Sequence, residues 1–363
     1  MNNRKKIGIL TGGGDCPGLN AVIRAVVRCS IYQHGWEAIG FKDGYRGLVL
    51  NDYLLLDFDS VSGLLDKGGT ILGTSNRDNP FAFPVATASG EELRDMSAQV
   101  QANLKQDQVD ALVIIGGDGT MTAAELFSRQ GIPIIGVPKT IDNDLLATDY
   151  TFGFQTAVET ATEAIDKLHS TAESHHRLMV VEVMGRYAGW IALTAGMSSG
   201  ADIILIPELA YDIEAILVTI KKRVAAGKHF SIIVVSEGIR HPEGHLVSQR
   251  TVKNSPDPIR LGGIGPLLAA ELEQRSGIEA RSVVLGHLQR GGRPNPFDRI
   301  LATRFGAAAV AALAQGESGK MVALQGNQIV TIPLKMVAGR QKLVPADHEL
   351  IQIGRSMGIC FGR

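Results

Sequence analysis

The chain has little cysteine, almost no net charge and no apolar run long enough to cross a bilayer. Its three cysteines, Cys16, Cys29 and Cys360, show neither pairing nor metal-ligand spacing, so no disulfide framework is expected and the compartment reads as reducing. A formal charge of −1 gives no general attraction to nucleic acid or to an acidic membrane, so neither is expected as a partner and any anion site must be local. The opening MNNRKKIGIL lacks the long apolar segment of a signal peptide, and a cytoplasmic location is expected. Internal repeats and low-complexity tracts are missing too. So is a clear G-x-G-x-x-G spacing with a later acidic partner, which argues against a dinucleotide-dependent dehydrogenase.

What is present is a chain of 363 residues, 45% hydrophobic and 20% charged, enough for two α/β domains with substantial cores. The stretch Ala111–Asp144 is its organising segment. Leu112–Ile115 is apolar, β-branched and bounded by glycine, as a parallel strand buried on both faces is. Gly116-Gly117-Asp118-Gly119-Thr120 follows. Met121–Arg129 then has helical spacing, Gly131 ends it, and Ile132–Val137 forms a second buried strand. Loops after neighbouring strands of an open α/β sheet meet at its carboxyl edge, so Asp118 and Asp142 should share one crevice.

Glycines at 116, 117 and 119 let the backbone approach a bulky anion, and the following helix adds N–H groups and a positive dipole. A carboxylate inside such a phosphate cradle repels its ligand unless a divalent cation lies between, which makes Asp118 the candidate magnesium (Mg2+) residue. The loop Lys139-Thr140-Ile141-Asp142-Asn143-Asp144 adds a lysine and two carboxylates, and an acid placed there can take a proton from a hydroxyl attacking a phosphoryl group.

The same strand, glycine turn and helix recur in Lys6–Leu10, Gly12-Gly13-Gly14-Asp15 and Leu19–Gln33, whose helix carries Arg24 and Arg28 a turn apart. A turn rich in glycine and charge, FKDGYRGLV, and the run GGTILGTSNR come next, and Glu91–Gln106 reads as an amphipathic helix. A domain crossing is placed near Gly153, where a long helix begins. Buried runs at Leu178–Val183, Ile203–Ile206, Ile232–Val235 and Val283–Leu285 then make a second α/β domain. Their ends carry Met184-Gly185-Arg186, Pro207-Glu208, Ser236-Glu237-Gly238 and GHLQRGG; charge recurring just past buried strands marks a site. Gly262–Pro266 reads as a turn before a helix at about Leu267–Gln274. Asp298–Ala314 reads as a helix, Met321–Pro333 as a hairpin, and the motif-free remainder is expected to pack back across both domains.

The pairing of GGDGT with PKTIDND resembles the phosphofructokinase family, and GGTILGT, MGRYAG and GHLQRGG extend the likeness over most of the chain. The resemblance implies two Rossmann-like doubly wound α/β domains, residues 1–153 plus about 291–343 for the phosphoryl donor and 154–290 plus about 344–363 for the sugar, with the active site between them. It implies a magnesium-dependent 6-phosphofructokinase that phosphorylates the C1 hydroxyl of fructose 6-phosphate, working as a homo-oligomer, expected to be a tetramer. Position by position, Asp142 is the base, Asp118 organises magnesium, Asp144 supports the site, and Thr140 and Arg186 attend the transferring group. Gly14, Tyr45, Gly119 and Thr120 face ATP, with Tyr45 beside the base. Met184, Gly185 and Glu237 contact the sugar; His287 and Arg290 hold its phosphate, joined by Arg177 and Arg281 from a neighbouring subunit.

Three departures carry consequences. Where members usually have arginine this chain has Asn76, so either Arg77 or Lys139 supplies that charge. In this family glycine at the position of Gly119 leaves room for the inner phosphate of ATP, whereas aspartate there favours pyrophosphate. Lysine at the position of Lys139 is typical of pyrophosphate users but occurs in an ATP branch. ATP is therefore the expected donor, with pyrophosphate the alternative. An effector site in the family matches Arg24, Arg28, Asp202 and Lys228, but its other basic positions fall on His169, Ala226 and His229. A non-catalytic sugar-phosphate sensor is the remote alternative, disfavoured because Asp118, Asp142 and Asp144 are all present.

Overall fold

A computed structural model describes residues 4–87, 90–242, 244, 246–251 and 259–363. In chain order the first part runs β1 (Lys6–Thr11), α1 (Leu19–His34), β2 (Glu37–Phe41), α2 (Tyr45–Leu50), β3 (Tyr53–Leu56), β4 (Phe83–Thr87), β5 (Gly90–Arg94), α3 (Ser97–Gln106), β6 (Ala111–Gly116), α4 (Asp118–Arg129) and β7 (Ile134–Pro138). It continues with α5 (Phe154–His175), β8 (Leu178–Val183), α6 (Trp190–Ser198), β9 (Ile203–Leu205), α7 (Ile213–Ala225), β10 (Ser231–Ser236), β11 (Ser248–Thr251), β12 (Ile259–Leu261), α8 (Ile264–Ser276) and β13 (Ala280–Val284). After a short 3-10 turn at Gly286–Arg290 come α9 (Pro296–Ala314), β14 (Lys320–Gln325), β15 (Gln328–Pro333) and α10 (Glu349–Ser356).

Two sheets organise these elements. The first has the order β15-β14-β7-β6-β1-β2-β3, parallel from β14 to β2 and closed at both edges by antiparallel strands. The second, β13-β8-β10-β9, is parallel throughout. Strands β6, β7, β8 and β10 are buried at every position, so their sequences are continuous apolar runs rather than alternating ones. One apolar core runs from the first sheet through α1, α5 and α9 into the second, while two further cores cover the outer faces. The two sheets are thereby packed on shared helices, and the carboxyl ends of their strands face one crevice.

The C-terminal residues return across both sheets. β14 and β15 extend the first sheet, then the main chain of Cys360 pairs with the edge of β9, its carbonyl accepting from Ile204 at 2.9 Å and its N–H donating to Asp202 at 3.0 Å.

Local boundaries depart from expectation where packing supplied no pattern. Gly90–Arg94 is a strand paired with β4, not the start of the Glu91–Gln106 helix, which begins at Ser97. All five residues of β5 are exposed, so no apolar face distinguished the two states. The FKDGYRGLV turn contains the short helix α2. α4 begins at Asp118, because Gly117 has extended N-cap geometry. α8 begins at Ile264, because Gly263 turns in the left-handed region and Glu182 receives its N–H.

Candidate active site

The crevice encloses about 1100 Å³, room for more than one phosphorylated ligand. Its first wall is built from the turns after β1, β6 and β7. Thr120 is buried between Gly12 and Gly116, drawing two glycine turns together, and its carbonyl accepts the Tyr45 hydroxyl at 2.7 Å. The N-terminus of α4 has no side-chain cap, which leaves its first N–H groups for a ligand. A Cβ added at Gly119 would meet no atom within 4 Å; that space belongs to the cleft.

Lys139 lies in the same wall, almost wholly buried, with its ammonium on the Gly14 carbonyl; burial pushes its pKa down. It lines the cleft, whereas Arg77 is exposed and is not among the lining residues. Of the two residues offered for the charge missing at Asn76, Lys139 lines the cleft and Arg77 stands between the lining residues Asn76 and Asp78. Tyr45 is the residue expected beside a nucleotide base. Although its residue borders the cleft, it is 6% exposed and leans on Phe127, which makes it a prop for the Thr120 turn rather than an open stacking face.

Asp118, Asp142 and Asp144 line the crevice together. Asp118 Oδ1 accepts from Gly339 N–H at 2.8 Å, and burial raises its pKa. Thr140 positions Asp142 twice over: its hydroxyl accepts from the Asp142 N–H at 3.1 Å and reaches Oδ2 at 3.3 Å. Asp142 Oδ1 is buried and, among the described residues, has no hydrogen-bond partner. Burial, and then the charge of Asp142, push Asp144 up to about 7. Crowded carboxylates with an orphaned oxygen fit a cation or a hydroxyl donor. Among the described residues no three acid, histidine or cysteine side chains form a ready metal cage.

The opposite wall comes from the ends of β8, β10 and β13. Arg186 adopts φ 55°, in the left-handed region, and its N–H donates to Glu237 Oε1 at 3.2 Å. Its guanidinium lies 5.7 Å from the Tyr187 ring. Burial, reinforced by Asp142, pushes Glu237 up to about 7. Met184, His287 and Arg290 border the same space, and Gly185 turns the chain between Met184 and Arg186. Arg290 crosses to the first wall, donating from Nη1 to the Asp15 carbonyl at 3.1 Å.

Two residues that the sequence did not single out shape this wall. Gln289, fully buried, accepts from Met184 N–H at 3.3 Å and donates to the Gly286 carbonyl at 3.1 Å. Glu182 accepts from Gly263 and Gly265 N–H, at 3.0 and 2.7 Å, and so caps α8. Gln289 lies inside the GHLQRGG segment, where its neighbours draw the eye. Nothing near Glu182 in sequence points to residues 263–265.

The remaining candidates lie elsewhere. Arg177 and Arg281 both pair with Glu279, Arg177 at 2.7 Å, and neither lines the cleft of its own chain. The effector set is likewise apart from it. Arg24 is half-buried, Lys228 is exposed, and the Arg28 guanidinium rests 5.3 Å from the Phe58 ring. Asp202 is committed to structure, holding Arg223 at 2.7 Å and Ile232 N–H at 2.9 Å.

Comparison with known proteins bears on this geometry directly. Residues 6–313 match the family described as Phosphofructokinase. The chain is 56% identical over 363 residues to ATP-dependent 6-phosphofructokinase 2 of Clostridium perfringens, covering 99% of each. It is 50% identical to a pyrophosphate–fructose 6-phosphate 1-phosphotransferase of Streptomyces coelicolor, over 98% of this chain and 100% of that one. The solved phosphofructokinase from Saccharomyces cerevisiae superposes with a TM-score of 0.78 at 32% identity; the match covers 92% of this chain and spans 45% of the yeast chain. The matched residues take in the whole second sheet, the first sheet up to its last two strands, and each motif loop bordering the crevice. The chain is an enzyme of the phosphofructokinase family.

Proposed function

We propose that the protein transfers the γ-phosphoryl group of ATP to the C1 hydroxyl of fructose 6-phosphate. The observation that carries this reading is Asp142 Oδ1, a buried carboxylate oxygen without a partner among the described residues, in a crevice with a glycine-lined phosphate cradle on one side and Arg186, Glu237, His287 and Arg290 on the other. Asp142 accepts the hydroxyl proton as the oxygen attacks. Thr140 holds Asp142 and hydrogen-bonds near the transferred group, and Arg186 meets the charge that develops on it. Glu237, Met184 and Gly185 seat the sugar, and His287 and Arg290 its phosphate. Asp118, with Asp142 and Asp144 nearby, would hold magnesium. When bound, magnesium neutralises phosphate charge and lets these acids sit beside the donor. Catalysis then rests on positioning and charge stabilisation.

For the donor, relatives bearing ATP and pyrophosphate names lie at similar identity, so the choice falls to residues. The open space at Gly119 admits an inner phosphate, while Lys139 is a positive charge that either polyphosphate can use. We extend the reading to a cytoplasmic homotetramer in which Arg177 and Arg281, outside their own cleft, reach the sugar phosphate of a neighbour. The donor-binding domain comprises residues 1–153 and about 291–343, and the sugar-binding domain the rest. An interface effector held by Arg24, Arg28 and Lys228 belongs to the same reading, with Asp202 in a structural part.

The test is the rate of fructose 6-phosphate phosphorylation with magnesium and either ATP or pyrophosphate, in the wild type and Gly119→Asp. Activity with ATP alone, lost in Gly119→Asp with the fold intact, supports the proposal. Activity with pyrophosphate alone would assign the choice of donor to Lys139.

A further inference from the structure

Residues 339–344 lie beyond the family match and carry no motif, yet they contact the acid-bearing loops of the crevice. Gly339 N–H donates to Asp118 Oδ1 at 2.8 Å and to Thr122 Oγ1 at 3.1 Å. Gln341 forms an isolated antiparallel bridge with Leu145 and borders the cleft. Val344 N–H donates to Glu208 at 2.9 Å, whose carboxylate also receives Gly189 N–H at the start of α6.

Lys342 is the centre of this strap. Its N–H donates to the Asp144 carbonyl at 2.7 Å. Its ammonium donates to Asn143 Oδ1 at 3.1 Å and to the Thr148 and Asp149 carbonyls, both at 2.9 Å. Its own carbonyl accepts from Trp190 Nε1 at 2.8 Å, and the ammonium lies 5.4 Å from that indole ring. One residue thus bonds the acid loop through backbone and side chain, and ties it to the helix that follows the Arg186 turn.

The loop needs such support. Asn143, between the two acids, adopts φ 51°, a left-handed conformation that persists in a non-glycine residue where surroundings over-determine it. Its side chain is gripped from both sides: Oδ1 takes Thr151 N–H at 3.0 Å as well as Lys342, and Nδ2 donates to the Asp149 carbonyl at 3.3 Å. Letting go of Asn143 would re-aim Asp142 and Asp144 together.

We propose that Lys342 is a positioning residue for phosphoryl transfer: it holds the Asp142–Asp144 loop in its reactive shape and fastens that loop to the Trp190 end of the opposite wall. The proposal rests on the reading of Asp142 as base, and its test has one arm that does not depend on activity. In Lys342→Met, which keeps the stem and loses the ammonium, amide hydrogen exchange of the ligand-free protein should quicken by about tenfold or more across residues 143–151, while the strands of both sheets keep their protection. In the same variant kcat should fall between about tenfold and a hundredfold, the cost of a displaced reacting group, with the KM of both substrates within about threefold of wild type. Lys342→Arg should recover part of the loss.

Unchanged exchange in the loop, or unchanged kcat per folded molecule, overturns the proposal. A wild type that turns over neither donor refutes the activity reading instead, and the exchange arm then decides the strap by itself. Should Lys342→Met not fold, Trp190→Phe removes the indole N–H bond to the Lys342 carbonyl together with part of the ring that faces its ammonium and His348. A kcat loss at unchanged KM supports the strap, and wild-type kcat overturns it.

Discussion

Gly14 stands where the two walls meet, and replacing it with alanine tests the whole arrangement. Its carbonyl receives the Lys139 ammonium, and a Cβ on it would lie 2.7 Å from Arg290 Nη1 and 3.2 Å from Cζ. Non-bonded heavy atoms settle at about 3.5 Å or more, so the guanidinium must retreat by roughly 0.8 Å and give up its bond to the Asp15 carbonyl. The fold should survive, because what yields is the far end of a flexible side chain and Gly14 has no left-handed backbone for alanine to resist. A charge-assisted hydrogen bond is worth about 1.5–3 kcal/mol, so an Arg290 that no longer meets the sugar phosphate should raise the KM for fructose 6-phosphate by about 10- to 150-fold. The donor KM should move less, although the proposed function puts Gly14 in the donor's loop. Steady-state rates with each substrate varied against saturation of the other, plus a melting curve, separate the effects. An unchanged KM for fructose 6-phosphate in a folded Gly14→Ala enzyme would refute the assignment of Arg290.

Two further outcomes follow from the carboxylates. Asp142→Asn should lower kcat by about 10²- to 10⁴-fold with the KM for fructose 6-phosphate near wild type, measured by the same kinetics; a loss of only severalfold removes Asp142 from the role of base. Glu237 titrates at about 7, above its ordinary 4.5, so its contribution to stability is fully present below about 4.5 and is lost as pH rises through 7. Over that span the loss is about 3 kcal/mol. Glu237→Gln, which mimics the protonated form, should therefore melt above the wild type at pH 8 and close to it at pH 4.5. A difference in melting temperature that does not change with pH would sink this reading.

The parallel strands and their glycine tips are legible in sequence because each is a local fact: an apolar run without alternation, then a turn that only small and polar residues make. Asp118, Thr140 and Asp142 sit inside such segments, and the rule that neighbouring strand ends share an edge is enough to bring them into one crevice. Tyr45 is not resolved that way, since a ring beside a nucleotide base and a ring propping Thr120 need the same residue in the same turn. The exposed strand Gly90–Arg94 is hidden for a related reason: with no buried side, hairpin and helix leave the same polar pattern.

What stays illegible is the support of the site, and the reason is sequence distance. Arg290 meets Asp15 across 275 positions, and Lys342 meets Asn143 across 199. Gln289 reaches Met184 across 105. No spacing rule links such pairs, and a single lysine in a motif-free tail looks like any solvated charge. Yet the Lys342 contact bears on where the acids point, since Thr140 alone fixes only one of Asp142's two oxygens. The motifs therefore specify which chemistry the crevice can perform, while contacts across long sequence distance, inside and outside them, hold its parts together. Substitution at 342 should accordingly act on turnover through geometry, with every motif intact.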